Sequence, residues 1–310
     1  MVRQGRVVFS SSGHLNRAGA QQANAVHSPI SGLKGGVNRL LREAAASLFN
    51  TLFPGECRLC GEALINVSRL PVCRTCLNGV KPLSGSFCSL CGEQVFAFGQ
   101  QPTAAICGMC RRATPPFARA VAFGSYDGEL RGVLHLLKYG QVRPAAGLLG
   151  EYLANTIQQI QPAFSGASPI VVPVPLYRGK RRQRGFNQAE LIARVALKRL
   201  AARGVKLEIK PRLLKRQRAT SSQTGLTRHQ RRANLRGAFV VKDRAAIDGR
   251  DILVVDDVFT TGTTVSECSR LLMRAGARRV FVVTVARVLK GDVNKIQQNT
   301  AVVQKMAAAS

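Results

Sequence analysis

Apolar residues along the 310-residue chain fall into two recurring patterns. Short runs dominated by Val, Ile and Ala predict strands that are buried on both faces. These runs lie at 118–126, 169–175, 251–255 and 279–286. Longer segments repeat apolar residues every three or four positions and therefore predict helices. These segments lie at 128–140, around 145–160, at 187–204 and at 264–276.

Strand-like and helix-like segments alternate through the second part of the chain. This order is typical of an α/β fold with a parallel sheet and right-handed crossovers, in which ligands bind at the carboxyl ends of the strands. Two helices also carry capping signals. Asn187 is expected to cap a helix with Glu190 at the capping-box position and Gly204 at its end. Thr264 and Glu267 form a similar capping-box pattern.

Composition divides the chain into four parts. The first 35 residues are polar, contain no Asp or Glu, and superficially resemble a transit peptide; we expect a disordered extension or an early start codon. Residues 36–53 carry one apolar helical face, which we expect to pack on the cysteine-rich segment rather than on a membrane surface. No run of 18 apolar residues occurs, so no transmembrane segment is expected. The predicted parts are 1–35 (disordered extension), 36–114 (amphipathic helix and cysteine module), 115–290 (α/β domain) and 291–310 (disordered tail).

The net charge of +30 is concentrated in one stretch. Residues 177–236 contain 19 Lys and Arg but only two acids, Glu190 and Glu208. A solvated basic face is one explanation, but this density favours contact with polyanions: the phosphates of a small ligand, nucleic acid, or both. Because the chain has no Trp, a large base-stacking platform is not expected.

Eight of the nine cysteines form four Cys-x-x-Cys pairs within 54 residues. Each pair presents two thiolates to one ion, and two pairs complete the tetrahedron that zinc prefers. Closed four-thiolate sites are structural, because they leave no open position for catalysis. Sequential pairing would give one site of Cys57, Cys60, Cys73 and Cys76 and another of Cys88, Cys91, Cys107 and Cys110, while pairing of alternate knuckles stays open. The ninth cysteine, Cys268, lies at helical spacing with apolar residues and is expected to be buried.

The stretch 251–265, DILVVDDVFTTGTTV, joins an apolar run to two adjacent acids and a threonine-rich loop. Hydroxyls, free backbone amides and the positive end of the next helix would cradle a monophosphate, with Gly262 allowing close approach. The carboxylates of Asp256 and Asp257 could then accept hydrogen bonds from vicinal sugar hydroxyls. A Mg²⁺ site of a P-loop enzyme is disfavoured, since no Gly-x-x-x-x-Gly-Lys-Ser/Thr segment occurs. A turn without a ligand gains nothing from two adjacent like charges.

This stretch resembles the phosphoribosyl diphosphate (PRPP) signature of type I phosphoribosyltransferases. The resemblance implies that Asp256 and Asp257 contact the ribose hydroxyls at the catalytic centre. It also implies that the loop holds the 5′-phosphate through Thr260, Thr261, Gly262, Thr263 and Thr264. The family's fold is a parallel α/β sheet, which agrees with the alternation described above.

A closer resemblance covers nearly the whole chain from residue 36 onward. The four cysteine pairs, HLLKYG, VPVPL…RGKRRQRGFNQAELIA, RATSSQTGLTRHQRRANLRGAF and ILVVDDVFTTGTTV occur in the order seen in the ComF family of competence proteins. The resemblance implies a double zinc-ribbon module, with two structural zinc ions, joined to a type I phosphoribosyltransferase-like domain. It further implies a link to DNA uptake. The basic stretch favours single-stranded DNA as a partner, other competence proteins are further candidate partners, and a cytoplasmic location is expected.

The type I fold places its diphosphate loop after the strand that ends in VPVP. Arg178 and Lys180 are predicted to serve this loop together with Mg²⁺ held mostly by the diphosphate and water. Arg184 and Asn187 are alternatives because they flank the next helix start. The nucleic-acid contacts are assigned to Arg181, Arg182 and Arg184.

The polar, basic segment 216–232 is either a lid over the reacting centre or a solvated loop. Thr220 and Gln223 are candidate ligand contacts, whereas His229 is expected at the surface. The sequence does not identify the acceptor of the ribosyl group. Type I enzymes select their nucleobase with a variable hood domain, and we expect the cysteine module to take the place of that hood. Two hypotheses follow: a phosphoribosyltransferase that turns PRPP over, or a non-catalytic PRPP sensor that binds single-stranded DNA.

Overall fold

The computed structural model describes residues 55–64, 68–95, 105–164, 168–218 and 228–289. The predicted extension 1–35, the predicted helix 36–53 and the predicted tail 291–310 lie outside the described residues. Across the described part of the chain, no helix has both the length and the apolar character needed to cross a membrane.

The centre of the fold is a five-stranded sheet in which every neighbouring pair is parallel. Its strands, in spatial order, are β3 (Arg119–Ser125), β9 (Arg279–Arg287), β8 (Asp251–Phe259), β4 (Ile170–Pro173) and β5 (Glu208–Ile209). The four β-branched runs thus form the four long strands, and the predicted α/β fold with a parallel sheet is confirmed. Two short antiparallel hairpins lie outside this sheet, namely β1 (Gly55–Glu56) with β2 (Ala63–Leu64), and β6 (Leu214–Arg216) with β7 (Phe239–Val241).

Helices cover both faces of the sheet. One face packs against α3 (Gly128–Lys138), α4 (Ala145–Ile160) and α6 (Gln188–Ala202). The other packs against α8 (Thr263–Arg274), the β6–β7 hairpin and the last residue of α7 (Arg228–Leu235). Alternate residues of each strand therefore enter two separate cores, which is why the strands read as continuous apolar runs.

The caps of α6 agree only partly with the sequence pattern. Asn187 caps the helix by accepting from the Ala189 amide at 3.2 Å, and its own amide donates to the Val174 carbonyl at 3.0 Å. Glu190 does not complete a capping box, because it forms an ion pair with Arg194 at 2.8 Å. The hydrogen bonds of Asn187 join the start of α6 to the end of the neighbouring strand segment.

The cysteine region contains two short helices, α1 (Arg74–Gly79) and α2 (Gly108–Arg112), and it pairs directly with edge strand β3. The Leu83 amide donates to the Phe123 carbonyl at 2.7 Å, and the Ala120 amide donates to the Leu90 carbonyl at 2.7 Å. These backbone hydrogen bonds fix the cysteine region against the sheet.

Candidate functional site

The eight paired cysteines form two groups of four, and within each group all sulfur atoms lie within 4.8 Å of one another. Neighbouring Sγ atoms are 3.7 Å apart for Cys60 and Cys73 and 3.6 Å apart for Cys91 and Cys107. A zinc tetrahedron with bonds of about 2.3 Å has edges of about 3.8 Å, so both groups fit zinc. The sequential pairing is confirmed, and the alternate pairing is wrong: Cys57, Cys60, Cys73 and Cys76 form one site and Cys88, Cys91, Cys107 and Cys110 the other.

Each zinc-binding site combines a turn with the start of a short helix. Cys73 is the N-cap of α1 and Cys107 is the N-cap of α2. Their amides donate to Cys57 Sγ and Cys88 Sγ respectively, each at 3.3 Å. Burial raises the pKa of the Cys57 and Cys88 thiols, but these and neighbouring backbone N–H donors outweigh burial and lower the pKa values to about 6 and about 7. The backbone therefore favours the thiolate form of Cys57 and Cys88, whereas burial raises the pKa of Cys76 and Cys110 and raises that of Cys91 to about 11.

The two adjacent acids lie inside strand β8 rather than after it. The predicted strand ended at 255, but ladder pairing with β9 continues to Phe259. Consecutive strand residues point to opposite faces, so Asp256 and Asp257 diverge into different surroundings. Asp257 shares its face with the α3–α4–α6 core, and Asp256 shares its face with α8.

Asp257 forms a buried ion pair with Lys138, the last residue of α3. Lys138 Nζ lies 3.0 Å from Asp257 Oδ2, and the two side chains are 12% and 8% exposed. Burial alone would lower the pKa of Lys138, but the Asp257 carboxylate raises it above its usual range. Sequence reasoning gave Lys138 no role, although the HLLKYG segment that contains it was one of the signals of family resemblance.

Asp256 is half-buried and accepts a hydrogen bond from the Asp257 amide at 2.9 Å. Burial and the neighbouring Asp257 carboxylate raise the pKa of Asp256 to about 7, against the opposing effects of that amide, Lys138 and Arg216. Cys268 is fully buried on the same side, as predicted. The Asp256 carboxyl group is therefore expected to titrate near neutral pH.

The threonine-rich loop turns sharply from β8 into α8. Gly262 has a φ of +71°, and a Cβ there would lie 2.5 Å from Phe259 Cζ, so only glycine fits. Gly262 is also the N-cap of α8, which begins at Thr263; the predicted capping box of Thr264 with Glu267 is therefore wrong. Glu267 instead forms an ion pair with Arg270.

The hydroxyl groups of this loop surround the positive end of α8. Thr261 and Thr263 Oγ1 atoms are 2.8 Å apart and hydrogen-bonded to each other. Thr260 is exposed, whereas Thr264 is half-buried in the first turn of the helix. Hydroxyls and first-turn amides at a helix N-terminus are groups that can bind an anion, and phosphate binding by this loop stays a prediction.

The basic segment after β4 is a helix, α5 (Arg178–Arg184), where the sequence analysis placed a loop. Helical spacing divides its side chains between two faces. One face contributes Lys180 and Arg184 to a cavity of about 290 Å³, whose lining residues are Lys138, Tyr139, Gln141, Lys180, Gln183 and Arg184. The Arg184 guanidinium also lies 5.3 Å from the centre of the Tyr139 ring.

This cavity collects positive charge around Lys138, the ion-pair partner of Asp257. Burial and repulsion from Arg216 and Arg184 lower the pKa of Lys180. Three cations, Lys138, Lys180 and Arg184, line the cavity, so it favours an anion.

The other face of α5 carries Arg178, Arg181 and Arg182, which are exposed and do not line the cavity. Among the described residues, no carboxylate pairs with these three arginines. Four other cations of the basic stretch pair with carboxylates, namely Arg194, Arg199, Arg203 and Lys210.

The candidate lid lies only partly within the described residues. Its first residue, Arg216, is the last residue of strand β6, and its final residues lie in α7, which contains His229. Residues 219–227, including the candidate contacts Thr220 and Gln223, lie outside the described part.

A second cavity, of about 350 Å³, lies between the cysteine region and the carboxyl end of β3. The cysteine region contributes Leu83, Ser84 and Phe87, and the segment from β3 into α3 contributes Ser125 and Asp127. The cavity has both apolar walls and hydrogen-bonding groups.

Comparison with domain families identifies both parts of the chain. The profile described as "Double zinc ribbon domain" matches residues 48–111. The profile described as "Phosphoribosyl transferase domain" matches residues 187–305, which include the aspartates and the threonine-rich loop.

Two curated proteins are similar over most of the chain. DNA utilization protein YhgH from Escherichia coli is 30% identical over 237 residues, covering 76% of this chain and 98% of that protein. Competence protein F from Haemophilus influenzae is 28% identical over 225 residues, covering 72% of this chain and 93% of that protein. Among solved structures, a hypoxanthine phosphoribosyltransferase from Staphylococcus aureus is 17% identical, with a TM-score of 0.29, over 46% of this chain and 62% of that one.

Proposed function

Because this chain belongs to the family of DNA utilization protein YhgH and competence protein F, we propose that its phosphoribosyltransferase domain binds PRPP with Mg²⁺ in a process linked to DNA use. The observation that carries the proposal is the cation-lined cavity that includes Lys138, whose ammonium lies 3.0 Å from Asp257 Oδ2. Three kinds of group that PRPP requires meet at this edge of the sheet: hydroxyls and amides, carboxylates, and clustered cations.

Each part of PRPP has a proposed partner. The 5′-phosphate binds the loop of Thr260, Thr261, Gly262, Thr263 and Thr264, at the positive end of α8. The ribose hydroxyls donate to Asp256 and Asp257. The diphosphate enters the cavity of about 290 Å³ that Lys138, Lys180 and Arg184 line.

The assignment of the diphosphate follows from the geometry of α5. The sequence analysis assigned the diphosphate to Arg178 and Lys180, with Arg184 as one alternative. We now assign the diphosphate to Lys180 and Arg184, because both line the cavity and Arg178 does not. Fixed cations stabilise the negative charge that builds up on a leaving diphosphate, which is the main contribution that this chain could make to transfer. Mg²⁺, held by the diphosphate and water, would supply further positive charge when bound.

The Lys138 contact gives Asp257 a second role in this proposal. An ammonium 3.0 Å from its carboxylate fixes the position of Asp257 before the ligand arrives. Asp256 has a pKa of about 7, and the ionised form of its carboxyl group is the one that offers a charge-assisted acceptor to a sugar hydroxyl.

The acceptor in a transfer reaction would enter the second cavity. Phe87 and Leu83 offer apolar walls there, and Asp127 offers an acceptor for the donors of a heterocycle. This placement gives the zinc-ribbon module the position of a hood, as the sequence analysis expected.

Calorimetry with PRPP and Mg²⁺ tests the proposal. Replacing Asp256 and Asp257 together by Asn should abolish PRPP binding, because removing each charge-assisted acceptor costs roughly 1.5–3 kcal/mol. The matched control is Asp243→Asn, since exposed Asp243 caps a turn by accepting from the Ala246 amide and Asn can do the same. Wild-type affinity in the double variant would refute the site.

The exposed face of α5 favours a second activity, contact with single-stranded DNA. Arg178, Arg181 and Arg182 lie on one side of the helix without carboxylate partners among the described residues, so they are available to phosphates. Arg184, which was also assigned to DNA from the sequence, is placed with the PRPP cavity in this proposal.

A further inference from the structure

Arg287, at the carboxyl end of β9, is buried although it carries a full charge. Only 2% of its side chain is exposed. Its guanidinium donates to the carbonyl of Cys91, a ligand of the second zinc-binding site, and to Glu93 Oε2 at 3.0 Å. The backbone also makes room for it, since a Cβ on Gly92 would lie 3.1 Å from Arg287 Nη1 and 2.8 Å from the Ala120 carbonyl oxygen. Arg287 therefore stabilises the second zinc knuckle through hydrogen bonds to the Cys91 carbonyl and the Glu93 carboxylate.

The same guanidinium contacts the strand that carries the aspartates. Arg287 Cζ lies 4.9 Å from the centre of the Phe259 ring, and the two residues are register partners across β8 and β9. The Phe259 ring also lies against Gly262, where a Cβ would be only 2.5 Å from Phe259 Cζ. One line of contacts thus runs from the Cys91 carbonyl through Arg287 and Phe259 to the turn of the threonine-rich loop.

We propose that Arg287 is a positioning residue that couples the second zinc site to the threonine-rich loop through the ring of Phe259. The coupling follows from close packing: if the zinc knuckle moves, the guanidinium loses its carbonyl and carboxylate partners and cannot keep its place on the ring. Phe259 then no longer supports Gly262. Zinc at the second site in this way sets the geometry of the loop.

Arginine is required for this role because one planar group makes three contacts at once. A guanidinium can donate in two directions and still stack on an aromatic face, whereas a lysine ammonium is a point charge. Arg287→Lys therefore keeps the charge next to Glu93 but breaks the link to the ring. Glu93→Gln removes the carboxylate charge that pairs with Arg287 near the second zinc site and so weakens the same chain of contacts.

The deciding measurement is hydrogen–deuterium exchange of the zinc-loaded full chain. The probe is the Ser266 amide, which donates to the Gly262 carbonyl at 2.9 Å and closes the first turn of α8. Exchange at this amide should be about tenfold faster in Arg287→Lys, a change within the usual range of coupling between sites. The control is Arg279→Lys, at the opposite end of β9.

Arg279 is matched to Arg287 in its contacts. It pairs with Asp251 at 2.6 Å and lies 5.1 Å from the Phe281 ring centre, at the end of the strand away from the zinc site and the loop. The Ser266 amide should exchange at the wild-type rate in Arg279→Lys. Unchanged exchange in both Arg287→Lys and Glu93→Gln would overturn the proposal.

The effect of this coupling on PRPP rests on the proposed function and has a separate readout. Saturating PRPP should slow zinc release to a chelating dye in the wild type and have no effect in Arg287→Lys, because coupling between two sites is reciprocal. If the wild type binds no PRPP while Arg287→Lys still exchanges faster at Ser266, the proposed function fails and the positioning role stands. If the wild type binds PRPP but PRPP leaves zinc release unchanged, coupling between the ligand and zinc is refuted.

Discussion

Replacement of Lys138 by Met is the sharpest test of the buried ion pair in the site. The two charges are 3.0 Å apart and almost fully shielded from water. At an effective dielectric constant of about 20, their attraction is about 5 kcal/mol, which is largely offset by the cost of removing both charges from water. The single substitution removes the attraction but leaves the Asp257 carboxylate buried, so we expect the free energy of unfolding to fall by about 3–5 kcal/mol.

The double variant Lys138→Met with Asp257→Leu removes both charges and should recover most of this loss, since well-packed apolar pairs replace buried ion pairs at little cost. Urea denaturation of the zinc-loaded chains measures the effect. With a slope of roughly 1–3 kcal/mol per molar urea, the midpoint of the single variant should fall by about 1 M or more. Lys210→Met is the control, because Lys210 pairs with Glu208 at 3.4 Å on the surface and should contribute less than about 1 kcal/mol.

The stability difference between Lys138→Met and the wild type should grow as the pH rises through about 7, because Lys138 opposes the rise in the pKa of Asp256 and its removal raises that folded-state pKa further. The folded-state pKa of Lys138 is raised, so its contribution is fully present below the unfolded value of about 10.4 and disappears only as the pH rises through the higher folded value. A destabilisation of less than about 1 kcal/mol in the single variant, or a double variant as unstable as the single one, would refute the reasoning.

Three further predictions concern protons, zinc and DNA. The pKa of Asp256 is raised to about 7, so its protonated carboxyl group stabilises the folded state fully below the unfolded pKa of about 3.9, and this contribution is lost as the pH rises to about 7. PRPP affinity should instead increase with pH, by up to about tenfold per pH unit below 7. Calorimetry of Asp256→Asn should show no such pH dependence of PRPP affinity. Metal analysis of freshly purified protein should find two zinc ions per chain, and a value below one would contradict both four-cysteine sites. Replacing Arg178, Arg181 and Arg182 by Ala should weaken single-stranded DNA binding. The slope of log binding constant against log salt concentration should then decrease in magnitude by about 0.7 for each phosphate that the protein no longer neutralises. The Arg184→Ala variant should bind PRPP more weakly and leave this slope unchanged. A wild-type salt slope near zero would contradict the proposed binding of DNA.

Local patterns were sufficient to predict the four long strands of the sheet, the helices α3, α4, α6 and α8, and the zinc ligands. A β-branched run predicts a buried strand wherever both faces are covered, and Cys-x-x-Cys spacing specifies a metal knuckle without reference to the rest of the fold. The end of β8 was predicted too early because the two acids interrupt the apolar run, whereas ladder bonds to β9 carry the strand on to Phe259. Helix α5 was missed because none of its residues is buried, so it has no apolar stripe to detect.

Contacts between distant segments were beyond the reach of the sequence. Lys138 and Asp257 are brought together only when α3 packs on the sheet, and nothing in either local pattern indicates the pairing. Arg287 looks like a surface cation at the end of a strand, yet it is buried because the second zinc knuckle closes over it. Both Lys138 and Arg287 are charged groups whose burial depends on a partner far away in the chain.

The order of the strands has a consequence for how the protein is made. The last strand along the described chain, β9, lies between the first long strand, β3, and β8. During synthesis, β3 therefore cannot pair with β9 until residue 287 has left the ribosome, well over a hundred residues after β3 itself. Such long-range closure is slow, and chains truncated before β9 should expose two apolar strand edges and aggregate. The zinc knuckles, which need only neighbouring sequence, can form long before that and shield β3 from one side while it waits.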